Sequence, residues 1–251
     1  SRGAAWGQTL LAAAGTPERK DIARREMQAA LRPDVFDRLL PALTGPHTPP
    51  AAVVTLGALF PLDPRVAGLA AEPNKRRRRA LVELVTAAAR IRPAALVRRL
   101  GDPRWFLVRN LVDALAHSGR PEAAAGIRAV CSHADHRVRR EARRALPLLD
   151  PAEGRAAAIE GLHDPNPALR LQALGLLRTA PGPEVEAALA AFIASRPPND
   201  EAAAAVEVLA GRRTPQADAA LRRLARPRLS LSASAREARR AAHRAMDGGR
   251  R

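Results

Sequence analysis

The chain has 251 residues and is 47% hydrophobic, enough to bury a core, but only 2% aromatic. Because strands favour aromatic and β-branched side chains, this composition argues against an all-β fold and favours helices rich in Ala, Leu and Arg. The formal net charge is +17, and 42 residues are basic, all of them arginine except Lys20 and Lys75. Such a chain favours anionic partners, which are nucleic acid, acidic proteins or anionic lipid.

The cysteine content and the hydropathy bear on the cellular compartment of the protein. Cys131 is the one cysteine, so no internal disulfide can form, and we expect a reducing, cytoplasmic environment. The longest apolar stretch, residues 51–60, is too short to span a bilayer. The chain begins with Ser1 rather than Met, so we expect it to be the C-terminal part of a longer protein or a trimmed one. Its first residues are not a convincing signal peptide.

The first 70 residues are predicted to be helical without a clear repeat. Thr16-Pro17 is typical of an N-cap and first turn, and it predicts a helix to about residue 31. Further helices are predicted at 33–43 and 51–60. We assign 1–70 to a helical N-terminal segment of degenerate repeats or a cap.

A repeat of about 31 residues follows, from 71 to 225. Apolar residues recur at this interval in three phases, and within a period Leu107, Leu111 and Leu115 share one helical face. The phases are Leu69, Leu100, Cys131, Leu162, Ile193 and Leu224; Ala80, Leu111, Ala142, Ala173, Ala204 and Ala235; and Leu84, Leu115, Leu146, Leu177 and Val208. The third phase fails at Arg239. Each period therefore predicts two helices, a first or A helix and a second or B helix.

The helix windows follow from this register and from the prolines between them. A helices are predicted at 63–70, 93–101, 121–131, 152–163, 183–194 and 215–225, and B helices at 74–90, 104–117, 136–147, 167–178, 199–210 and 230–246. Asp102-Pro103 and Asp164-Pro165 precede B helices, where Asp can cap the first turn and Pro fits it. Residues 226–251 are assigned to a polar capping helix and a frayed tail.

The starts of the B helices resemble the HEAT-repeat family. Asp164-Pro-Asn-Pro-Ala-Leu-Arg170 and His133-Ala-Asp-His-Arg-Val-Arg139 are similar to its pattern of Asp-Pro, three spacers, an aliphatic residue and Arg, with His133 replacing Asp. The period is shorter than the usual one of about 40–47 residues, so the chain resembles the compact bacterial form. The resemblance implies an all-α solenoid of stacked antiparallel helix pairs, an armadillo-like superhelix. It also implies that Arg139 and Arg170 bond the turn Asp and tie neighbouring repeats.

The positive charge lies on the B helices, whose windows sum to +12, whereas the A windows sum to zero. In HEAT-like solenoids the B helices line the concave surface, so the resemblance implies a basic concave face. Arg78, Arg109 and Arg140 are 31 residues apart and are expected to form one column. The candidate partner-binding or anion-binding residues are Arg76, Arg77, Arg78, Arg79, Trp105, Arg109, Arg140, Arg143 and Arg144.

Some of these candidates have a structural interpretation beside the functional one. The Lys75 to Arg79 run is also what a solvated helix face looks like. Arg140, Arg143 and Arg144 lie off the Val138–Ala142–Leu146 stripe, so we expect all three to face solvent. Trp105 is expected to pack on the adjacent repeat, with an anchor for a partner as the alternative.

No motif in the chain indicates catalysis, a cofactor or a metal. Cys131, His133 and His136 are closely spaced, but Cys131 falls on a core phase. We therefore predict a scaffold or adaptor that is not an enzyme and binds a protein partner with an acidic segment. No oligomeric state is predicted.

The alternative is a nucleic-acid-binding protein similar to the HEAT-like alkylpurine DNA glycosylases. Trp105 and Asp113 share a B helix, about 80° apart round its axis, and no catalytic residue is carried over. A phycobilin-lyase role, known for some HEAT-like proteins, has no chromophore-site marker in this sequence.

Overall fold

The computed structural model describes residues 75–195, 197–225, 240–242 and 244, which form helices and short loops with no strand among them. Residues 240–242 and 244 are helical, within the predicted C-terminal helix. The rest of that helix and the predicted helices at 16–31, 33–43 and 51–60 lie outside the described residues. Within the described ranges no helix is long and apolar enough to cross a membrane.

The helices alternate between the two predicted sets. The α-helices are α1 (Lys75–Ile91), α2 (Pro93–Val97), α3 (Trp105–Ala116), α4 (Ala124–Ala129), α5 (His136–Leu149), α6 (Pro151–Gly161), α7 (Pro167–Leu177), α8 (Pro183–Ala194), α9 (Asn199–Gly211) and α10 (Pro215–Ala225). Odd-numbered helices are B helices and even-numbered ones are A helices. Short 3₁₀ turns, Pro121–Ala123 and Val130–Ser132, flank α4.

Prolines and short polar side chains set the helix starts. Proline occupies the first turn of α2, α6, α7 and α8, where its missing N–H needs no partner. Asp150 caps α6 by accepting from the backbone N–H groups of Ala152 and Glu153, both at 3.0 Å. The predicted cap of α7, Asp164, accepts instead from the N–H of Asn166 at 2.9 Å. Asn166 is the cap itself, so the aspartate shapes the turn one step earlier.

The A helix α2 is shorter than its predicted window of 93–101. It ends at Val97, and the chain continues in tight turns in which Arg99 N–H donates to Leu96 O at 2.9 Å and Leu100 N–H donates to Val97 O at 3.0 Å. Such i→i+3 bonds satisfy the last carbonyls of a helix while narrowing it. Leu100 remains buried, so the core contact survives although the α-helix does not continue.

The chain packs as two compact units, residues 1–145 and 146–251. In the first unit, the B helices α1 and α3 pack on each other, and α2 packs on both and on the 3₁₀ turn of the next A helix. In the second unit, α7 packs on α9, whereas α8 packs on both α6 and α10. Contacts of A on A and B on B form the stacked layers of an α-solenoid, as in HEAT and armadillo repeats.

The predicted core phases are buried or half-buried where the structure describes their side chains. Leu100, Cys131, Leu162 and Ile193 are all buried, which confirms the first phase at these four positions. In the third phase Leu84, Leu115, Leu146, Leu177 and Val208 are buried as well. Ala204 and Leu224 are half-buried, and Leu69 and Ala235 lie outside the described residues. The 31-residue register is therefore the register of the structure.

Candidate functional site

Three arginines occupy the same repeat position on successive B helices of the first unit. Arg78 on α1, Arg109 on α3 and Arg140 on α5 are all exposed, and the Arg109 side chain is 51% exposed. We call these three the arginine column. The side chains of Arg76, Arg77 and Arg79 lie outside the described part of the chain, although their backbone belongs to α1.

Two carboxylates lie between the arginines of α3 and α5. Arg144 on α5 donates from Nη2 to Asp113 Oδ1 of α3 at 2.9 Å, and from Nε to Glu141 Oε1 of its own helix at 2.9 Å. Nη2 of Arg144 also contacts Glu141 Oε1. Arg109 Nε lies 4.0 Å from Glu141 Oε2. We call Arg109, Asp113, Glu141 and Arg144 the arginine–carboxylate network; it joins two neighbouring repeats.

The carboxylates of this network favour the charged form of Arg144. The hydrogen bond to Glu141, followed by the charges of Glu141 and Asp113, raises the pKa of the Arg144 guanidinium. Asp113 also lies near His117, whose Nδ1 is 3.4 Å from Asp113 Oδ1 and 2.8 Å from the Asp113 carbonyl oxygen. The basic face at this point is therefore a patch of alternating charges rather than a set of isolated cations.

The prediction that Arg143 faces solvent is wrong. Arg143 is buried, with 6% of its surface exposed, and its Nη2 donates to the carbonyl oxygen of Cys131 at 3.3 Å. It lies three residues before Leu146 on α5, so it flanks the apolar stripe, and its long aliphatic stem can pack there. The repeat register contained the signal, because the residues one or two periods away, Leu81, Val112, Leu174 and Ala205, are all buried apolar residues.

Trp105 is covered by the following repeat. The guanidinium carbon of Arg137 lies 3.4 Å from the centre of the Trp105 ring, a cation–π contact. Asp135 fixes this arginine, because its Oδ1 accepts from Arg137 Nε at 3.2 Å and its Oδ2 accepts from Nη2 at 3.0 Å. Trp105 also meets Phe106 edge to face at 5.8 Å. This arrangement agrees with the packing interpretation of Trp105, and Arg137 is a residue that sequence reasoning missed.

Arg139 and Arg170, which share one repeat position, hold the turns before their B helices. Arg139 Nη1 donates to the carbonyl oxygens of His133 and Ala134, both at 2.9 Å. Arg170 Nη1 donates to the Asp164 carbonyl at 2.8 Å, so the aspartate is bonded through its backbone rather than its carboxylate. Arg170 also forms a two-pronged pair with Glu201 of the next repeat, which is buried, at 2.8 and 2.6 Å. These arginines have structural partners.

His133 takes the part that aspartate plays in the other turns. Its Nδ1 accepts from the N–H of Asp135 at 3.0 Å, as Asp164 Oδ1 accepts from Asn166 at 2.9 Å. Cys131 is buried, and its Sγ points to the Ile127 carbonyl at 3.7 Å. Among the described residues no group of three or more His, Cys, Asp or Glu side chains is placed to hold a metal ion.

The second unit presents a different B-helix surface. A groove of about 860 Å³ runs along α9, with Arg178 and Glu207 3.7 Å apart at its rim. Its lining is Arg178, Asp200, Ala203, Ala204, Val206, Glu207, Val208, Ala210, Gly211, Ala241 and Arg244. Sequence reasoning did not single out this groove, although Ala203 and Ala204, two small residues side by side on a B helix, line it. This surface has small apolar residues between charges of both signs, and it lacks a column of exposed arginines among its lining residues.

Comparison with known proteins finds no matching family model and no matching curated protein. Among solved structures, the chain is similar to an engineered protein at 15% identity, over 97% of this chain and 82% of that one, with a TM-score of 0.42. It is also similar to the complex of CpcE and CpcF of phycocyanin lyase from Nostoc sp. PCC7120 (19% identity, 86% and 92% coverage, TM-score 0.32). A designed armadillo repeat protein shows 16% identity, 95% and 98% coverage and a TM-score of 0.32. Similarity at this level assigns neither a family nor a function.

Proposed function

We propose that the chain is a non-catalytic, HEAT-like scaffold that binds an acidic segment of a protein partner through the B-helix face of its first unit. The observation that carries this proposal is the exposed arginine column of Arg78, Arg109 and Arg140, repeated on three successive B helices. Stacked repeats offer long binding surfaces without needing any chemistry of their own. Arg144 extends the same face beside the column.

Arginine suits a carboxylate ligand in particular. Its planar guanidinium donates two parallel hydrogen bonds to one carboxylate, which gives both attraction and orientation. Arginines that recur once per repeat would meet acidic residues distributed along an extended or helical segment. The exposure of Trp105 is limited by Arg137, so the affinity would come from the arginines rather than from an aromatic anchor.

The test removes positive charge from the B-helix face alone. The variant Arg109→Gln/Arg140→Gln/Arg144→Gln should lose a protein partner that the wild type retains from an extract of the source cells after nuclease treatment. We expect retention to fall at least about 10-fold, because several charge-assisted hydrogen bonds are lost. The matched control is Arg98→Gln/Arg222→Gln/Arg223→Gln, which removes the same charge from exposed positions at the ends of α2 and α10.

The nature of the retained ligand separates the two predicted functions. A nuclease-resistant protein with an acidic segment, lost from the B-face variant and kept by the control, supports the proposal. A synthetic peptide of that segment should then bind the wild type and not the variant. Retention that disappears with nuclease would instead favour the nucleic-acid alternative. A B-face variant that keeps every ligand would show that these arginines are only a solvated face.

A further inference from the structure

The two carboxylates of the arginine–carboxylate network lie on the basic B-helix face. A negative charge at this place weakens the attraction of the face for an anionic ligand. Glu141 lies between Arg109 and Arg144, and its side chain is 13% exposed. Asp113, with a side chain 36% exposed, contacts Arg144 from the neighbouring helix. Both therefore lie within salt-bridge distance of the arginines that an incoming anion would approach.

The repeat itself does not require a carboxylate at either position. One period before and after Glu141, the chain has Asn110 and Gln172, which are polar and uncharged. One period before Asp113 it has Val82, and two periods after that aspartate it has Gly175. This differs from Arg139 and Arg170, which recur and bond their turns. The two acids are thus particular to this face rather than part of the repeating framework.

We infer that Glu141 and Asp113 are specificity-determining residues, which exclude nucleic acid from the B-helix face while admitting a protein segment. Discrimination between partners often depends on a repulsive group as much as on attraction. Duplex DNA carries about one phosphate charge per 1.7 Å of its axis, so a DNA backbone that bonds these arginines brings phosphates close to the carboxylates. A protein segment can place a neutral or basic residue there. The inference deepens the proposed function and rests on it for the identity of the admitted partner.

The distances make this repulsion effective under physiological conditions. A phosphate bonded to Arg109 or Arg144 would sit a few ångströms from Glu141, because Arg109 Nε is 4.0 Å from one carboxylate oxygen. Screening at physiological salt has a length of about 8 Å, so like charges this close still repel. The guanidinium groups would also have to give up existing bonds, such as that from Arg144 to Asp113, to turn toward a phosphate.

The experiment measures duplex DNA binding by the full chain with the two charges removed. Glu141→Gln/Asp113→Asn keeps the side-chain shapes. We expect it to bind a labelled duplex of about 20 base pairs at least about 10-fold more tightly than the wild type at about 0.15 M salt. The log–log salt slope should steepen by about 0.9 for each additional phosphate that the protein neutralises. Fluorescence anisotropy gives both quantities, and thermal unfolding verifies that each variant is folded.

The control makes the same charge change on the A helices. Glu122→Gln/Asp218→Asn removes one Glu and one Asp charge from exposed positions in the 3₁₀ turn before α4 and in the first turn of α10. It should change DNA affinity by less than about threefold. Adding Arg109→Gln and Arg140→Gln to the acid-free variant should abolish its increased affinity, which would locate the new binding on this face.

The outcomes separate this inference from the proposed function. Equal increases in the test and control variants would mean that only net charge matters, and no increase in either would show that the acids exclude nothing. Tight duplex binding by the wild type would also overturn the inference. If DNA affinity rises as expected but the arginine variant keeps its protein partner, the exclusion stands and the proposed partner site fails.

Discussion

Asp102 and Arg104 form a local fork in the turn before α3. Asp102 Oδ1 accepts from the backbone N–H and the Nε of Arg104, both at 2.9 Å, and Oδ2 accepts from Nη2 at 2.8 Å. The side-chain hydrogen bonds from Arg104 lower the pKa of Asp102 to about 2. Asp135 and Arg137 form the same fork at the start of α5, in the next repeat. The pKa of Asp135 is lowered for the same reason.

A single substitution in the fork should change the pKa of Asp102. Arg104→Gln removes the charged donors, so the pKa of Asp102 should rise toward its unperturbed value of about 3.9. Because the folded-state pKa is depressed, the fork stabilises the fold above about pH 4, and this contribution is lost as the pH falls toward 2. Carboxyl-carbon NMR titration measures the shift, with Asp135 as the internal control. An Asp102 that titrates near its unperturbed value in the wild type would contradict the fork.

Because Arg143 is buried, substitutions there should change the free energy of unfolding differently from the same substitutions at an exposed arginine. Arg143→Met keeps a long side chain in the core position and should cost less than about 1.5 kcal/mol. Arg143→Glu would bury a carboxylate against the Cys131 carbonyl and should cost more than about 3 kcal/mol. The exposed Arg140 supplies the control, since the same two changes there should each stay within about 0.5 kcal/mol. Urea unfolding measures all four variants, and equal costs at both positions would refute the buried assignment.

At the scale of helices, two glycines of the second unit have opposite surroundings. A Cβ on Gly154 of α6 would lie 2.6 Å from Pro147 Cα and 2.7 Å from Pro147 N, which are backbone atoms that cannot turn aside. A Cβ on Gly175 of α7 would meet nothing within 4 Å. The first glycine therefore permits a close approach to α5, whereas the second has no steric reason to be a glycine.

These surroundings predict opposite effects of the same substitution. Gly175→Ala should raise the free energy of unfolding by roughly 0.5–1 kcal/mol, because alanine is the better helix former. Gly154→Ala should lower it by about 1–3 kcal/mol, because the helix gain is smaller than the cost of forcing two backbones apart. Chemical denaturation of the pair decides the matter. Stabilisation by both alanines would mean that α5 and α6 are not in close contact at Pro147.

The helices were predictable because their signals are local, and the side-chain pairings were not. The windows 183–194 and 215–225 coincide with α8 and α10, since apolar periodicity and a leading proline mark both. The burial of Arg143 did not follow from the Val138–Ala142–Leu146 stripe of its own helix. The buried apolar residues at the equivalent positions of the other repeats carry that signal. Contacts such as Arg137 on Trp105 depend on how one helix is rotated against the next, which no local pattern encodes.

At the scale of the whole molecule, stability in stacked repeats comes from coupling between neighbours. In the second unit, Arg170 of α7 and Glu201 of α9 provide one such coupling, and the Glu201 side chain is only 1% exposed. Hydrogen bonds to Glu201 raise the pKa of the Arg170 guanidinium. Arg178 and Glu207 connect the same two helices at 3.7 Å, but their side chains are 63% and 73% exposed.

The two ion pairs should therefore contribute very different amounts to the free energy of unfolding. Glu201→Ala leaves a guanidinium without its main partner and should cost about 3–5 kcal/mol, whereas Arg170→Met/Glu201→Met should restore most of that loss. Arg178→Gln/Glu207→Gln should cost less than about 1 kcal/mol, because exposed pairs are weak. Hydrogen exchange in Glu201→Ala should increase first in α7 and α9. A uniform increase along the chain would speak against neighbour-by-neighbour coupling.

The buried arginine of α5 also distinguishes one repeat from the others. A chain of similar helix pairs risks misassembly, in which a helix pairs with the wrong copy of its neighbour during folding. A column occupied only by buried apolar residues, such as Leu81, Val112, Leu174 and Ala205, distinguishes such pairings by side-chain size alone. Arg143 differs from these residues, since its guanidinium requires the carbonyl of Cys131 and would be costly to bury elsewhere. The buried charge therefore adds an energetic cost to any pairing in which Arg143 loses the Cys131 carbonyl.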